Sequence, residues 1–201
     1  MSNGRDEHQI TIRTVSGQPT LAAADAIERE MRLEAGVSAR PLLSERWSPT
    51  VFHVAMSDAG EPLGVASTSV GDLAELPVGL ALIAAGVTVT DLLPLPGPVC
   101  ELVSIAVDTH AEIDGVSELL YRAFYRRARS ASARSVALMI DPWLGDVMRD
   151  EYGVAFRTIG PAVTHMGRQL LPVGEELDVL EASVLAADPT FHSFLTAVGR
   201  N

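Results

Sequence analysis

Val99-Cys100-Glu101-Leu102-Val103-Ser104-Ile105-Ala106-Val107-Asp108, followed at once by residues 109–117 and a long amphipathic run, reads as strand, loop and helix. Strict alternation along the strand places Glu101, Val103, Ile105 and Val107 on one face and Cys100, Leu102, Ser104 and Ala106 on the other. One carboxylate thus shares a face with three β-branched apolar residues. Covered by a substrate, that face would desolvate Glu101, raise its pKa and fit it to take a proton near neutral pH. The competing reading of the same residue is a strand-end glutamate in water.

Outward from this strand, Val116, Leu119, Leu120, Ala123, Phe124, Ala128 and Ala131 mark one stripe of a helix that runs to about Ser132. Its C-terminal half carries Arg122, Arg126, Arg127 and Arg129, with Arg134 just beyond. Arginines there complement the helix dipole; a docking patch for a phosphorylated or acidic partner is the alternative. Residues 135–140 read as a buried strand ending at Asp141-Pro142-Trp143, and residues 144–152 as a short helix closed near Gly153. Residues 155–159 and 162–171 form a hairpin-like pair around Gly160-Pro161, residues 175–187 a helix, and residues 189–201 a final short one.

Upstream, residues 1–9 form a disordered arm, residues 10–15 alternate as a first strand, and the spacing of Leu21, Ala24, Ile27, Met31 and Ala35 predicts a helix from Leu21 to about Glu34 that stops at Gly36. Residues 38–50 are a loop or short helix. Residues 51–56 and 63–70 flank the turn residues Asp58-Ala59-Gly60-Glu61-Pro62 as a hairpin. Residues 71–98 are an apolar insertion with a helix near residues 78–85, closed by Leu93-Pro94-Leu95-Pro96-Gly97-Pro98; it either covers an apolar ligand or packs on the sheet. The resulting order is α/β (α+β): a mixed, mostly antiparallel sheet flanked by helices, with an insertion before the central strand. The domain spans residues 10–173, and residues 174–201 form a helical extension.

The chain has 201 residues, 47% hydrophobic, with 15 Lys and Arg against 26 Asp and Glu, for a formal charge of −11. That balance disfavours nucleic acid as a partner. One cysteine excludes an internal disulfide, the N-terminus has no apolar leader segment, and the most apolar run, residues 78–89, is too short to span a membrane. A cytoplasmic protein is expected. None of His8, His53, His110, His165 and His192 has metal-ligand spacing, so no metal is expected. Cys100 reads as a small core residue, and His53 as a satisfied strand histidine or a wall of an acceptor site.

Taken together, the order of elements and the segments Cys100 to Asp108, Asp141-Pro142-Trp143 and Ala155-Phe156-Arg157-Thr158-Ile159-Gly160-Pro161 resemble the GCN5-related N-acetyltransferase (GNAT) superfamily. The branch resembled is that of the long-chain N-acyl amino acid synthases and acyl-homoserine lactone synthases, in which a Leu-Pro element, here Leu76-Pro77, precedes a strand of the form Glu-Val-Ser-Arg-Leu-Ala-Val. The resemblance implies an acyltransferase that moves an acyl group from a thioester to the amine of a small molecule or amino acid. The thioester is acyl-CoA or the acyl-phosphopantetheine of an acyl carrier protein. It implies that the backbone of Ser104, Ile105, Ala106 and Val107 pairs with the pantetheine amides. His110, Asp114, Gly115, Val116 and Ser117 occupy the phosphate loop and helix start. Glu101 is implied as the general base and Tyr152 as the acid for the leaving thiolate.

Two residues of that loop, Glu112 and Asp114, stand where a pyrophosphate prefers a cation. Ser104 replaces the branch's arginine, and Ala155 the glycine of its Gly-Phe pair. The alternative to an enzyme is therefore a GNAT-like ligand-binding or partner protein without turnover.

Overall fold

The β-branched and alternating segments pair into one twisted sheet whose two faces are covered by helices from different parts of the chain. The computed structural model describes residues 10–16, 24, 26–30, 50–88, 92–108, 110, 113–165 (of His165 the backbone only) and 168–197. The expected N-terminal arm, the ends of the helix expected from Leu21, the residue 38–50 segment before Thr50, and Thr109, Ala111 and Glu112 of the expected phosphate loop lie outside the described residues. In chain order the elements are β1 (Thr11–Val15), α1 (helical residues 26–30), β2 (Val51–Met56), β3 (Pro62–Gly71), a 3-10 turn (Leu73–Glu75) and α2 (Pro77–Ala84). Then come β4 (Val99–Val107), α3 (Val116–Ser130), β5 (Ser135–Ile140), α4 (Pro142–Tyr152), β6 (Arg157–Thr158), β7 (Val163–His165), β8 (Arg168–Glu176), α5 (Leu177–Ala187) and α6 (Pro189–Thr196).

The strand order is β1-β2-β3-β4-β5-β8-β6, with β7 paired to β8. β1 to β4 form an antiparallel meander, β4 and β5 are parallel, and β5 and β8 are antiparallel. The parallel pair requires a crossover, and α3 supplies it. This is the mixed, mostly antiparallel sheet flanked by helices that the sequence predicts. α3 buries Val116, Leu120, Phe124 and Ala128 against Cys100, Leu102, Val136 and Leu138 on one face. On the other face α2 packs Val78 and Leu82 against Val99 and Ala137, and Ala24 packs with Phe52, Val54 and Val65. The helix within the insertion therefore packs on the sheet. Its fully buried side chains, Val78 and Leu82, are worth roughly 1.5–3 kcal/mol each.

Two expectations are corrected at the C-terminal end. Residues 155–159 and 162–171 do not pair around Gly160-Pro161: β6 pairs with the far end of β8, Arg157 opposite Gly174, and the hairpin is β7 with β8. The Gly160-Pro161 segment is pinned elsewhere, because Ile159 is buried under α2, donates its N–H to Pro172 O and accepts from Leu93 N. The helix expected from Glu175 begins at Leu177, because Glu175 and Glu176 extend β8 opposite Val136 and Ser135. Burying Glu175 in a strand is offset by a two-pronged pairing with Arg157, Nε to Oε2 and Nη2 to Oε1 at 2.8 Å each.

Candidate active site where β4 parts from β5

β4 is interrupted at its centre. Ser67 of β3 is opposite Ser104 and Thr68 is opposite Leu102, so Val103 has no partner and forms a β-bulge. The bulge reverses the alternation expected from the sequence. Glu101 does not share a face with Ile105 and Val107: these two pack with Cys100 and Leu102 on the α3 side, and Ala106 packs with Val54 and Val65 on the opposite side. Ser104 is returned to the face of Glu101, where its Oγ lies 2.5 Å from Ser67 Oγ. Alternation over nine residues is a sound rule for a regular strand, and one inserted residue defeats it.

Immediately past the same point β4 leaves its other neighbour. It pairs with β5 only from Val99 opposite Ser135 to Leu102 opposite Leu138, while β5 continues to Ile140 on β8 alone. The backbone from Val103 to Val107 thus has no strand partner on the β5 side, a wedge of hydrogen-bonding groups open to an extended amide-bearing ligand. Beneath the last shared pair, Leu102 and Leu138, an apolar cavity of about 50 Å³ extends between α3 and the C-terminal helices, walled by Phe124, Phe156, Leu180 and Leu195.

Glu101 is 2% exposed, and its cover is α2. Both carboxylate oxygens accept from Val78 N–H, at 3.0 and 3.1 Å. Val78 is the second residue of a helix whose first, Pro77, has no N–H to offer, so Glu101 satisfies an orphan donor at the positive end of the helix dipole. Burial pushes the Glu101 carboxyl up to about 8, with the Val78 N–H pulling the other way. The elevation expected from the sequence is present, but α2 produces it rather than a bound substrate.

Tyr152 stands at the end of α4, on the other side of the sheet from Glu101. Its hydroxyl donates to Glu118 Oε1 at 3.0 Å and its ring leans on Phe191 at 4.8 Å. Burial, then Glu118, holds the hydroxyl up at about 12. His110 N–H donates to Asp108 Oδ1 at 2.8 Å, turning the chain out of β4. Asp114 is exposed, and Gly115 begins α3 with φ of 87° and no side-chain cap. The first-turn N–H groups that include Val116 and Ser117 are left for another acceptor. Ser104 to Val107 lead through residues 108–115 into the start of α3, while Glu101 and Tyr152 lie on opposite faces of the sheet.

Sequence reasoning missed a row of buried hydroxyls on the Glu101 face. Ser69 lies opposite Glu101, Ser67 opposite Ser104, and Thr50 Oγ1 is 3.2 Å from Ser69 Oγ. Ser67 and Ser69 are buried, in a strand otherwise apolar at Leu63, Val65 and Ala66. The signal available was the run Ser67-Thr68-Ser69, too polar for a central strand unless those hydroxyls are paired or meet a polar ligand. Among the described residues there is no group of three or more His, Cys, Asp or Glu placed to hold a metal ion, and no helix is long and apolar enough to cross a membrane.

The bulged β4, its parting from β5 and the α3 crossover belong to a mixed α/β fold that solved GNAT-like structures share. No protein-family model matches the chain, and no curated protein matches it. Solved structures do match in shape. FeeM, an N-acyl amino acid synthase from uncultured soil microbes, is 16% identical, with a TM-score of 0.65 over 93% of this chain and 100% of that one. The acyl-homoserine lactone synthase LasI is 11% identical, with a TM-score of 0.64 over 89% of this chain and 96% of that one. BjaI, a CoA-dependent acyl-homoserine lactone synthase solved with SAM and isopentyl-CoA, is 16% identical, with a TM-score of 0.58 over 88% and 90%. At these identities the likeness is one of fold.

Proposed function

We propose that the protein is an N-acyltransferase that moves an acyl group from a thioester, acyl-CoA or an acyl carrier protein, to the amine of a small molecule or amino acid. The observation that carries this reading is the unpaired β4 edge from Val103 to Val107, which starts next to Leu102 on the wall of an apolar cavity. In this reading the pantetheine amides add to the β4 edge at Ser104 to Val107, and the phosphate end lies toward His110, Asp114, Gly115, Val116 and Ser117. The acyl chain descends past Leu102 and Leu138. BjaI, solved with isopentyl-CoA, supports a donor of this class for the fold.

The acceptor enters on the opposite face, where Ser67, Ser69, Ser104 and Glu101 offer polar atoms between otherwise apolar strands. Glu101 takes the proton of the attacking amine, directly or through water; the nitrogen forms a bond to the thioester carbonyl carbon, and the C–S bond breaks to release the thiol. A carboxyl near 8 is balanced between proton acceptance and retention at neutral pH, the condition for a general base. Backbone N–H groups at the β4 edge steady the oxyanion. Tyr152 is assigned as proton donor to the thiolate, with Glu118 setting its position.

A second reading rests on the bond from Val78 N–H to both oxygens of Glu101: the carboxylate is then the N-terminal anchor of α2, and the fold binds ligands without turnover. Thiol release from acyl-CoA and acyl-carrier-protein thioesters, with mixed amino acids and amines as acceptors, separates the two. Amine-dependent release that falls about a hundredfold in Glu101→Gln supports the transferase. No release from either donor establishes the binding protein instead.

A further inference from the structure

The α3 face of the sheet carries a second concavity, remote from Glu101. A groove of about 500 Å³ runs between the β1–β2 edge and one side of α3, within the size range of small-molecule sites, about 300–1,000 Å³. Its strand side is polar: Thr14 Oγ1 lies 3.1 Å from His53 Nδ1, and His53 Nε2 lies 3.3 Å from Thr68 Oγ1. Its helix side presents Arg122, Arg126 and Arg127, and no carboxylate lies among its described lining residues. In a chain of net charge −11 this grouping runs against the overall composition.

The three arginines are not equivalent. Arg122 and Arg126 reach the end of α6, each donating from Nη2 to Ala197 O, at 3.4 and 2.5 Å, and Arg122 lies over the Phe194 ring. Arg127 makes no hydrogen bond or ion pair through its guanidinium with any described residue, and its Nε is buried without a partner, as is that of Arg122. Both ring nitrogens of His53 are taken by threonines, so that neighbour supplies no acceptor. A guanidinium with a desolvated, unpartnered Nε, on the wall of a groove whose described lining residues include no acid, is costly unless an anion stands beside it.

We propose that this groove binds a phosphate-bearing small molecule, with Arg127 as its principal ligand and Arg122 and Arg126 beside it. A phosphate has three or more acceptor oxygens, enough to engage more than one guanidinium fork, where a carboxylate has two. The site lies on the opposite face of the sheet from Glu101. It is therefore distinct from the acceptor side of the transfer reaction and stands whether or not that reaction occurs.

Calorimetric titration with inorganic phosphate at constant ionic strength tests it, with succinate as the carboxylate comparison. The expected result is saturable one-site binding to wild type, weakened about tenfold or more in Arg127→Gln and within about twofold of wild type in Arg134→Gln, an equal charge change at an exposed position. Phosphate should also protect Arg127 in the wild-type protein from phenylglyoxal, mapped by mass spectrometry. That labelling decides the matter if Arg127→Gln loses its far-UV circular dichroism. Unsaturable binding, equal weakening by Arg127→Gln and Arg134→Gln, succinate binding as tightly as phosphate, or unprotected Arg127 each overturns the proposal.

Discussion

Glu101 is subject to two opposed influences. The α2 N-terminus favours its charged form through Val78 N–H, while near-complete burial favours the protonated form and prevails. If Glu101 is the base, the transfer rate rises with pH to a plateau above about 8, and Glu101→Gln flattens that limb; a profile unchanged in the variant removes Glu101 from the chemistry. Stability carries a separate signature. A carboxyl at about 8 in the folded chain, against an ordinary value of 4.5, binds a proton that the unfolded chain releases between those values. Its contribution is fully present below the unfolded pKa and is lost as pH rises through the folded one. The melting temperature of Glu101→Gln should therefore gain on wild type by several degrees between about pH 5 and pH 9. A difference independent of pH would mean that Glu101 titrates normally.

At the scale of elements, the C-terminal pair α5–α6 closes the apolar cavity and is held to α3 by a polar seam. Arg129 bonds Asp178 at 2.8 Å and also Glu181, and Tyr125 donates to Glu181 at 2.7 Å. Leu180 lies on the cavity wall and is half-buried, so Leu180→Ala enlarges the cavity at an expected cost of about 2 kcal/mol. Measured with a ladder of acyl thioesters, its preferred donor should shift to a longer chain; an unchanged preference would place the acyl group elsewhere. The α4–α5 contact depends on Gly153, which ends α4 at φ of 66°, and a Cβ added there would stand 2.2 Å from that of Ala187. Gly153→Ala therefore combines a left-handed conformation with a clash, and urea unfolding should show a loss of about 2 kcal/mol or more.

Over the whole molecule, the charge of −11 sets a repulsive field for any anionic donor, and the exposed Asp114 adds to it at the start of α3. Raising salt from about 20 to about 150 mM shortens the Debye length toward 8 Å and should lower the KM for acyl-CoA. A KM that rises with salt would instead reveal a basic donor path that the proposed loop does not provide. The sheet also keeps the two proposed sites apart: Glu101 and the proposed acceptor side face α2, while the arginine groove faces α3. The same seven-strand path thus carries one proposed site on each face and one at the β4–β5 parting.

The sequence by itself determined the order of the elements, because amphipathic periodicity and turn chemistry are local. Residues 116–130 and 135–140 fold as their spacing predicts, Gly153 ends α4, and the hairpin closes at Gly60. It also marked Glu101, since a carboxylate inside an apolar strand stands out in any window. Only the tertiary structure decided what surrounds it. The bulge at Val103 depends on how β3 and β4 register, the cover over Glu101 comes from a helix 23 residues away, and Glu175 remains in a strand because Arg157 pairs with it from 18 residues back. The arginines of α3 likewise read as one basic stripe until α6, Asp178 and Glu181 engage some of them and leave Arg127 facing the groove. Local pattern fixes which way a segment folds; burial, register and charge pairing arise between segments, and they set the chemistry of the site.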